Sequence, residues 1–357
     1  MLKEKLNLFT ADEHASLAEA MQKIDENSNG ILFVLDSEGA LCGAVSDGDI
    51  RRWILKTGSI DAEICLLMNR KPKYIHRGEI DEPFEYMKKL FIRALPVVDD
   101  DMHIHDILLA KENEKLSLKN KGGLEDVSVI IMAGGKGTRL YPYTKILPKP
   151  LIPIGDIPIV ERIMDRFHDY GITDFLLSVN YRKSMIRSYF SDIEREYDIE
   201  YVEEDKPLGT AGSIKLITRK FDRPLIVTNC DILIRADYEE IYKYHKESGN
   251  DITIVTAMKN DIIPYGVVYS KENGEIERME EKPCRSYFVN TGMYVINPDM
   301  IDLIPDETFF HMTNLADKAI QEGYRVGMYP VSEDSFLDMG EFVEMKRMEE
   351  KLQSRDK

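Results

Sequence analysis

Val127-Ser128-Val129-Ile130-Ile131-Met132-Ala133-Gly134-Gly135-Lys136-Gly137-Thr138-Arg139-Leu140, with Leu147-Pro148-Lys149-Pro150 a few residues on, is the stretch on which the fold turns. Its first six residues are almost wholly apolar and rich in β-branched side chains, which predicts a strand buried on both faces, as in a parallel sheet. The glycines come where that strand ends. They let the backbone turn sharply and bring its N–H groups close to an anion. Arg139 and Lys149 add fixed positive charge, one as a fork for phosphate oxygens and one as a point charge. Two familiar phosphate loops do not fit. A P-loop needs Ser or Thr after its lysine, and Lys136 is followed by Gly137. The dinucleotide fingerprint needs a third glycine where Leu140 stands.

From this loop onward strands and helices alternate. Ile159 to Tyr170 reads as a helix, and Phe175–Val179, Ile199–Val202 and Pro224–Asn229 read as buried strands. Such alternation predicts an α/β domain with a mostly parallel, Rossmann-like sheet, whose ligands gather at the carboxyl edge of the strands. Glu203-Glu204-Asp205-Lys206-Pro207-Leu208-Gly209-Thr210-Ala211-Gly212 follows a strand and opens a helix; Gly209 and Gly212 would let the backbone approach a flat ring. Asn229-Cys230-Asp231 ends a buried strand, where an aspartate facing a triphosphate loop is placed to hold Mg²⁺. Leu337-Asp338-Met339-Gly340 supplies a second such aspartate far along the chain. Beyond Ile252 the chain is richer in strands, with a hairpin turn at Lys271-Glu272-Asn273-Gly274, and Glu341 to Leu352 reads as a short amphipathic helix.

The Gly-rich loop with its Arg and Pro-Lys-Pro resembles the signature of the sugar-1-phosphate nucleotidyltransferases. Carried over motif by motif, the resemblance places the nucleotide against Ala133, Gly134, Gly135, Gly137 and Thr138, and the base near Glu204, Gly209, Thr210 and Gly212. It makes Asp231 and Asp338 the metal ligands, with Phe336 where the family often has Trp. Glu280-Glu281-Lys282-Pro283 matches a third motif, giving Glu281 to the sugar hydroxyls and Lys282 to the sugar phosphate. Tyr265-Gly266-Val267-Val268 and Val289-Asn290-Thr291-Gly292 fit the sugar-binding loops, through Gly266, Asn290 and Gly292. The implied reaction joins a nucleoside triphosphate to a sugar 1-phosphate. Arg139, Lys149 and Lys282 are its catalytic cations, and positioning and charge neutralisation do most of the work.

Length and composition agree with an enzyme of this kind. At 357 residues the chain can hold two domains. The formal net charge of −17 argues against general binding to nucleic acid or acidic membranes, so an anionic substrate must meet a local basic cluster. Cys42, Cys65, Cys230 and Cys284 are scattered without metal-ligand spacing and suggest reduced thiols, and the seven histidines show no metal spacing either. The N-terminus lacks a long apolar stretch, and the expected location is the cytoplasm without signal peptide or membrane span.

The front of the chain carries an imperfect repeat. The first copy has a helical pattern in Leu17, Ala20, Met21 and Ile24, strands over Ile31–Leu35 and Leu41–Val45, and a helix opening at Ser46-Asp47-Gly48-Asp49. The second has Phe84, Met87 and Phe91 on one face, the strand Ala94–Val98, Asp99-Asp100-Asp101 and a helix start at His105-Asp106-Ile107-Leu108. Half-size units of this sort pack against their twins. The pair resembles a tandem CBS module, a regulatory fold that often binds adenine nucleotides such as AMP or ATP. In it Ser46 would sit near ribose or phosphate and Asp49 on the ribose hydroxyls. The other reading makes the two residues a helix cap. With Asp99 aligned to Asp36, the closing Asp106 comes seven residues on rather than thirteen, so the second copy reads as shortened, with His103 at the place of Ser46. The expected boundaries are 1–115 for this module, 116–126 for a polar linker and 127–357 for the catalytic domain. Paired modules of this type commonly associate, which implies a homo-oligomer.

Base and sugar are less sharply written. Guanine offers N–H donors that a carboxylate can accept, and the run Glu203-Glu204-Asp205, with no Gln in the loop, favours GTP. Fusion of CBS repeats to this domain resembles the glucosamine-1-phosphate guanylyltransferases of bacterial legionaminic acid pathways. The alternatives are a mannose- or heptose-1-phosphate guanylyltransferase, a uridylyl- or thymidylyltransferase, and a catalytically inactive nucleotide sensor. Retention of Arg139, Lys149, Asp231 and Lys282 counts against the sensor.

Overall fold

The computed structural model describes residues 2–27, 29–80, 82–90, 92–109, 123–340, 344–346 and 348. Most of the expected linker, most of the tail helix and Phe91 lie outside them. Two compact units separate: Met1–Leu116 with Met258–Val289 and Ser332–Asp334, and Ser117–Ala257 with Asn290–Val331 and Ser335–Lys357. Among the described residues no helix is long and apolar enough to cross a membrane.

In the first unit the repeat is built as α1 (Leu2–Phe9), β1 (Thr10–Asp12), α2 (Leu17–Asn27), β2 (Ile31–Leu35), β3 (Leu41–Ser46) and α3 (Asp47–Thr57). The second copy follows as β4 (Ile75–His76), α4 (Pro83–Lys89), β5 (Ala94–Val98) and β6 (Ile104–Leu109). Each copy is a three-stranded sheet in sequence order, its first pair parallel and its second antiparallel. The two hairpins match almost atom for atom. Asp36 N–H donates to the Ala40 carbonyl at 3.0 Å, and Asp99 N–H to that of His103 at 3.1 Å. The Asp36 carboxylate caps the N–H groups of Glu38 and Ala40, and that of Asp99 caps those of Asp101 and His103. Gly39 and Met102 hold the same left-handed corner, at φ 82° and 66°. Phe9, Phe33, Leu41 and Ala44 share one core with Ala94, Val98 and Ile107, so the copies bury their apolar faces against each other.

The second copy differs from the sequence expectation in two ways. Residues 105–108 do not start a helix; they lie in β6, paired with β5 from Val98↔Ile104 to Ala94↔Leu109. A short apolar run cannot be told from a helix start by periodicity alone, and the Asp99 turn commits it to the return strand, where the ladder satisfies its backbone. The hairpin of the second copy is therefore complete. His103 corresponds to Ala40, and the position matching Ser46 is Leu109.

The second unit opens with β7 (Ser128–Met132), a small hairpin of β8 (Pro153–Ile154) and β9 (Ile157–Pro158), and α5 (Ile159–His168). Then come β10 (Asp174–Val179), α6 (Lys183–Ser191), β11 (Asp198–Glu203), α7 (Gly209–Gly212), β12 (Leu225–Asn229), β13 (Ile232–Ile234) and α8 (Tyr238–Ser248). β14 (Ile252–Ile262) and β17 (Cys284–Ile296) each have residues in both units, β15 (Val267–Ser270) and β16 (Ile276–Glu280) belong to the first, and α9 (Met312–Gln321), β18 (Val326–Val331) and β19 (Phe336–Asp338) complete the second. The main sheet runs β11-β10-β7-β12-β17-β14-β18. Its first four strands are parallel, β17 is antiparallel to β12, and β18 is parallel to β14. β7 is buried along Val129–Met132, as a central parallel strand must be. Helix α5 packs Ile159, Ile163 and Phe167, with Val160 and Met164, as one face at helical spacing. The chain goes from β7 to β10 on one side and returns to β12 on the other, so the sheet switches direction beside β7. Register brings Met132, Ser178 and Asn229 level, and the loops leaving these strands converge at the carboxyl edge.

Candidate active site

The Gly-rich loop leaves β7 anchored by Ala133 N–H, which donates to the Ser178 carbonyl at 2.8 Å. At Gly137, φ is 63° and a Cβ would stand 2.9 Å from Thr144 Cγ2 and 3.0 Å from Lys149 Cβ. Thr144 Oγ1 donates to the Gly137 carbonyl at 2.8 Å. The loop is thereby folded onto the Pro148-Lys149-Pro150 turn, and Lys149 is carried under it.

Lys149 Nζ pairs with the Asp231 carboxylate, and the side chains are only 17% and 15% exposed. Burial is the largest single influence on the Lys149 ammonium and pulls it down, but the charge and hydrogen bond of Asp231, joined by Cys230 and Asp338, together outweigh it and hold the group above the usual lysine range. Strand β19 runs antiparallel to β13 with Ile232 opposite Asp338, and Met339 N–H donates to the Asp231 carbonyl at 2.8 Å. The two aspartates, over a hundred positions apart in sequence, are thus neighbours across one ribbon. Burial, followed by the charge of Asp231, pushes the Asp338 carboxyl above the ordinary aspartate range. Cys230 beside them is buried, and that burial lifts its thiol to about 12, so it stays protonated. Two crowded carboxylates with oxygen donors only fit a hard divalent cation, which would relieve their repulsion.

A cleft of about 360 Å³ opens over this ribbon. It is lined by Gly134, Gly135, Gly137, Lys149, Glu204, Gly209, Thr210 and Asp231, all expected from the sequence. A smaller hollow of about 190 Å³ takes Thr138 and the exposed Arg139, together with Gly137, Lys149 and Gly340. Ala133 is buried behind the loop. Glu204 is 6% exposed, and its carboxylate accepts from Ser178 Oγ at 2.7 Å and from Leu208 N–H at 2.9 Å. These bonds lock the 204–208 loop against β10. The glycines after that loop approach protein rather than open space. A Cβ on Gly209 would stand 2.6 Å from the Phe310 carbonyl, and one on Gly212 equally close to that of Thr308.

The remaining expected residues fall into two groups. Asn290 Oδ1 accepts from Gly292 N–H at 2.9 Å, and a Cβ on Gly292 would lie 2.4 Å from Asn229 Nδ2, beneath the cleft lining. Gly266, Glu281 and Lys282 belong to the first unit. There a Cβ on Gly266 would lie 2.9 Å from Glu281 Oε2, and Lys282 is exposed in a left-handed conformation at φ 46°. Sequence reading missed Phe309 and His311, which also line the cleft. Phe309 is 60% exposed and stands edge-on to His311 at 4.8 Å. His311 caps α9 in a box with Asn314, and Thr210 Oγ1 accepts from Met312 N–H at 3.0 Å. The only signal in the sequence was a pair of phenylalanines before a His-x-x-Asn helix start.

Residues 128–355 match the family model described as nucleotidyl transferase, and residues 3–56 match that of a CBS domain. The chain belongs to the nucleotidyl transferase family. Among its relatives are a mannose-1-phosphate guanyltransferase of Debaryomyces hansenii, 38% identical over 184 residues, and one of Aspergillus oryzae, 37% identical over 187. These alignments cover 49–50% of this chain, and the chain spans about half the length (51%) of each of these curated relatives. Among solved structures, HddC from Yersinia pseudotuberculosis aligns at a TM-score of 0.50 and 24% identity, over 63% of this chain and 99% of that one. A putative glucose-1-phosphate thymidylyltransferase from Bacillus anthracis aligns at 0.50 and 22%, over 65% and 96%. Both likenesses speak to the nucleotidyl transferase fold. The family generally acts with a divalent metal.

Proposed function

We propose that this nucleotidyl transferase makes a GDP-sugar from GTP and a hexose 1-phosphate, with mannose 1-phosphate as the favoured acceptor. The observation that carries the reaction class is the Lys149–Asp231–Asp338 ribbon lying against the Gly-rich loop at the carboxyl edge of β7 and β12. The guanyltransferase relatives support the base and sugar, in place of the glucosamine 1-phosphate expected from domain fusion.

The loop N–H groups and Arg139 hold the β- and γ-phosphates of the nucleotide. Lys149 faces the α-phosphate. A sugar-phosphate oxygen attacks the α-phosphorus in line, the bond to the β-phosphate oxygen breaks, and pyrophosphate leaves. Lys282 offsets the repulsion between the approaching anions, while Glu281, Gly266 and Asn290 take the sugar. When bound, Mg²⁺ neutralises charge on the phosphate oxygens. Asp231 and Asp338 are the side chains that would hold it. Pyrophosphate release over four nucleoside triphosphates, crossed with mannose, glucose, glucosamine and heptose 1-phosphates, tests the reading. GTP with mannose 1-phosphate is expected to be fastest. A faster UTP or dTTP reaction overturns the base, a faster glucosamine arm overturns the sugar, and no release with any pair overturns the reaction.

A further inference from the structure

One cluster of ligand-type side chains lies outside every motif used above. His14 stands in the turn between β1 and α2, while Glu63 and Cys65 flank the start of a short 3₁₀ turn at Ile64–Leu66. Three main-chain hydrogen bonds clamp the two segments together. Leu17 N–H donates to the Ala62 carbonyl at 2.8 Å, Ile64 N–H to that of Ala15 at 3.0 Å, and Cys65 N–H to that of Glu13 at 3.0 Å. The side chains are therefore set side by side by the backbone rather than by chance rotamers. His14 Nδ1 and Glu63 Oε2 are 2.7 Å apart, and Cys65 Sγ lies 3.7 Å from the same oxygen.

The ligand atoms of all three residues lie within 4.8 Å of one another. A tetrahedral zinc ion, with bonds of about 2.0–2.3 Å, sets its ligand atoms roughly 3.3–3.8 Å apart, so small rotations bring them to bonding range. We propose that His14, Glu63 and Cys65 form a site for a borderline-soft divalent cation such as Zn²⁺. One nitrogen, one oxygen and one sulfur make a donor set that favours zinc over magnesium or calcium, which take oxygen alone. The fourth position faces solvent, since His14 and Glu63 are exposed. The His14–Glu63 pair offers little resistance to a metal, because exposed ion pairs contribute little. Asp12 and Glu13, adjacent in sequence, add negative charge that favours a cation.

Zinc binding to the full-length protein, measured against a chromophoric chelator in millimolar magnesium, tests the site. The magnesium competes for the Asp231–Asp338 ribbon, and the Asp231→Asn protein serves as a control for that ribbon. One equivalent of Zn²⁺ per chain is expected. It should survive Asp231→Asn and weaken at least 10-fold in His14→Ala and in Cys65→Ser. Co²⁺ in its place should give a thiolate charge-transfer band that disappears in Cys65→Ser and persists in Cys284→Ser. All substituted side chains here are at least partly exposed, and far-ultraviolet circular dichroism verifies that the variants remain folded. Zinc binding that disappears with Asp231→Asn, that is unaffected by Cys65→Ser, or that does not occur, overturns the proposal.

Discussion

At the scale of single residues, the two aspartates of the ribbon are chemically alike but energetically opposed. Asp231 is held by Lys149, so Asp231→Asn leaves a half-buried ammonium without its counter-charge and costs about 1.5–3 kcal/mol of stability. Lys149 titrates higher in the folded chain than in the unfolded one. That contribution is complete below the ordinary lysine range and is lost as pH rises through the raised value. Asp338 also titrates higher in the folded chain, through burial and then the charge of Asp231. Folding thus favours its protonated form, an advantage present below the ordinary aspartate range and lost as pH rises through the raised value. At neutral pH the ionised Asp338 costs stability, and Asp338→Asn is expected to raise Tm in metal-free buffer. The gain should shrink as pH falls towards about 3.9. Both variants should lose roughly 100-fold or more in turnover. Melting curves and pyrophosphate release check the pair. Equal Tm shifts would refute the asymmetry, and near-normal rates would remove the aspartates from the reaction. Phe309 makes a separate claim. An exposed ring at the rim of a Gly- and Pro-lined slot suits stacking on a purine, which contributes about 1–3 kcal/mol per base. Phe309→Ala should raise KM for GTP about 10-fold while leaving KM for the sugar phosphate and kcat nearly unchanged. Equal changes for both substrates would show that the ring does not meet the base.

At the scale of elements, the 204–212 loop is defined by what it packs against. Ala211 and Gly212 N–H groups both donate to the Phe310 carbonyl, at 2.9 and 3.0 Å, and Phe310 N–H donates back to the Leu208 carbonyl at 2.8 Å. Close approach of two main chains requires glycine at 209, where φ is 79° and a Cβ would strike the Phe310 carbonyl. Gly209→Ala is expected to lose about 1–3 kcal/mol and to loosen the loop that carries Glu204 and Thr210. Urea unfolding together with KM for nucleotide measures both effects. A variant as stable as the parent would mean that the segment 308–310 yields easily.

At the scale of the molecule, the CBS domain supplies one cap where its twin has an aliphatic side chain. Ser46 Oγ accepts from Asp49 N–H at 3.2 Å, and Asp49 Oδ2 accepts from Ser46 N–H at 2.9 Å and from Ser46 Oγ at 2.6 Å. Arg52 takes Asp49 Oδ1 at 2.5 Å. The capping reading of these residues is thus realised, and Ser46→Ala should cost about 1 kcal/mol with no nucleotide present. In the second copy Leu109 takes the matching position and offers no hydroxyl. Adenine nucleotides are therefore expected to bind at no more than one site per chain, with Asp49→Ala weakening them. Calorimetric titration with AMP, ADP and ATP reads the stoichiometry. Two equal sites would refute the register argument, and silence with all three would leave the pair a structural element. Any effect on rate requires that the nucleotide prefer one of two states of the protein.

The sequence alone determined the buried strand before Gly134, the parallel sheet it seeds, and the Gly-rich loop at its carboxyl edge. Those features are local: β-branched runs, glycine at positive φ and charge at fixed spacing act within a few residues. It also marked Asp231 and Asp338 individually, through the motifs around them. That they share one ribbon, with Lys149 paired to Asp231, came from folding alone, because the pairing of β13 with β19 joins segments far apart in sequence. The return strand at 104–109 was ambiguous for the same reason: its partner, not its periodicity, chose its conformation. Phe309 was marked only by its place beside Phe310 before a helix start, since an exposed aromatic acquires meaning from the slot it borders. His14 and Cys65 showed no metal spacing along the chain. Main-chain clamps between the 13–17 and 62–65 segments brought them together, and long-range backbone pairing of that kind leaves no mark in spacing.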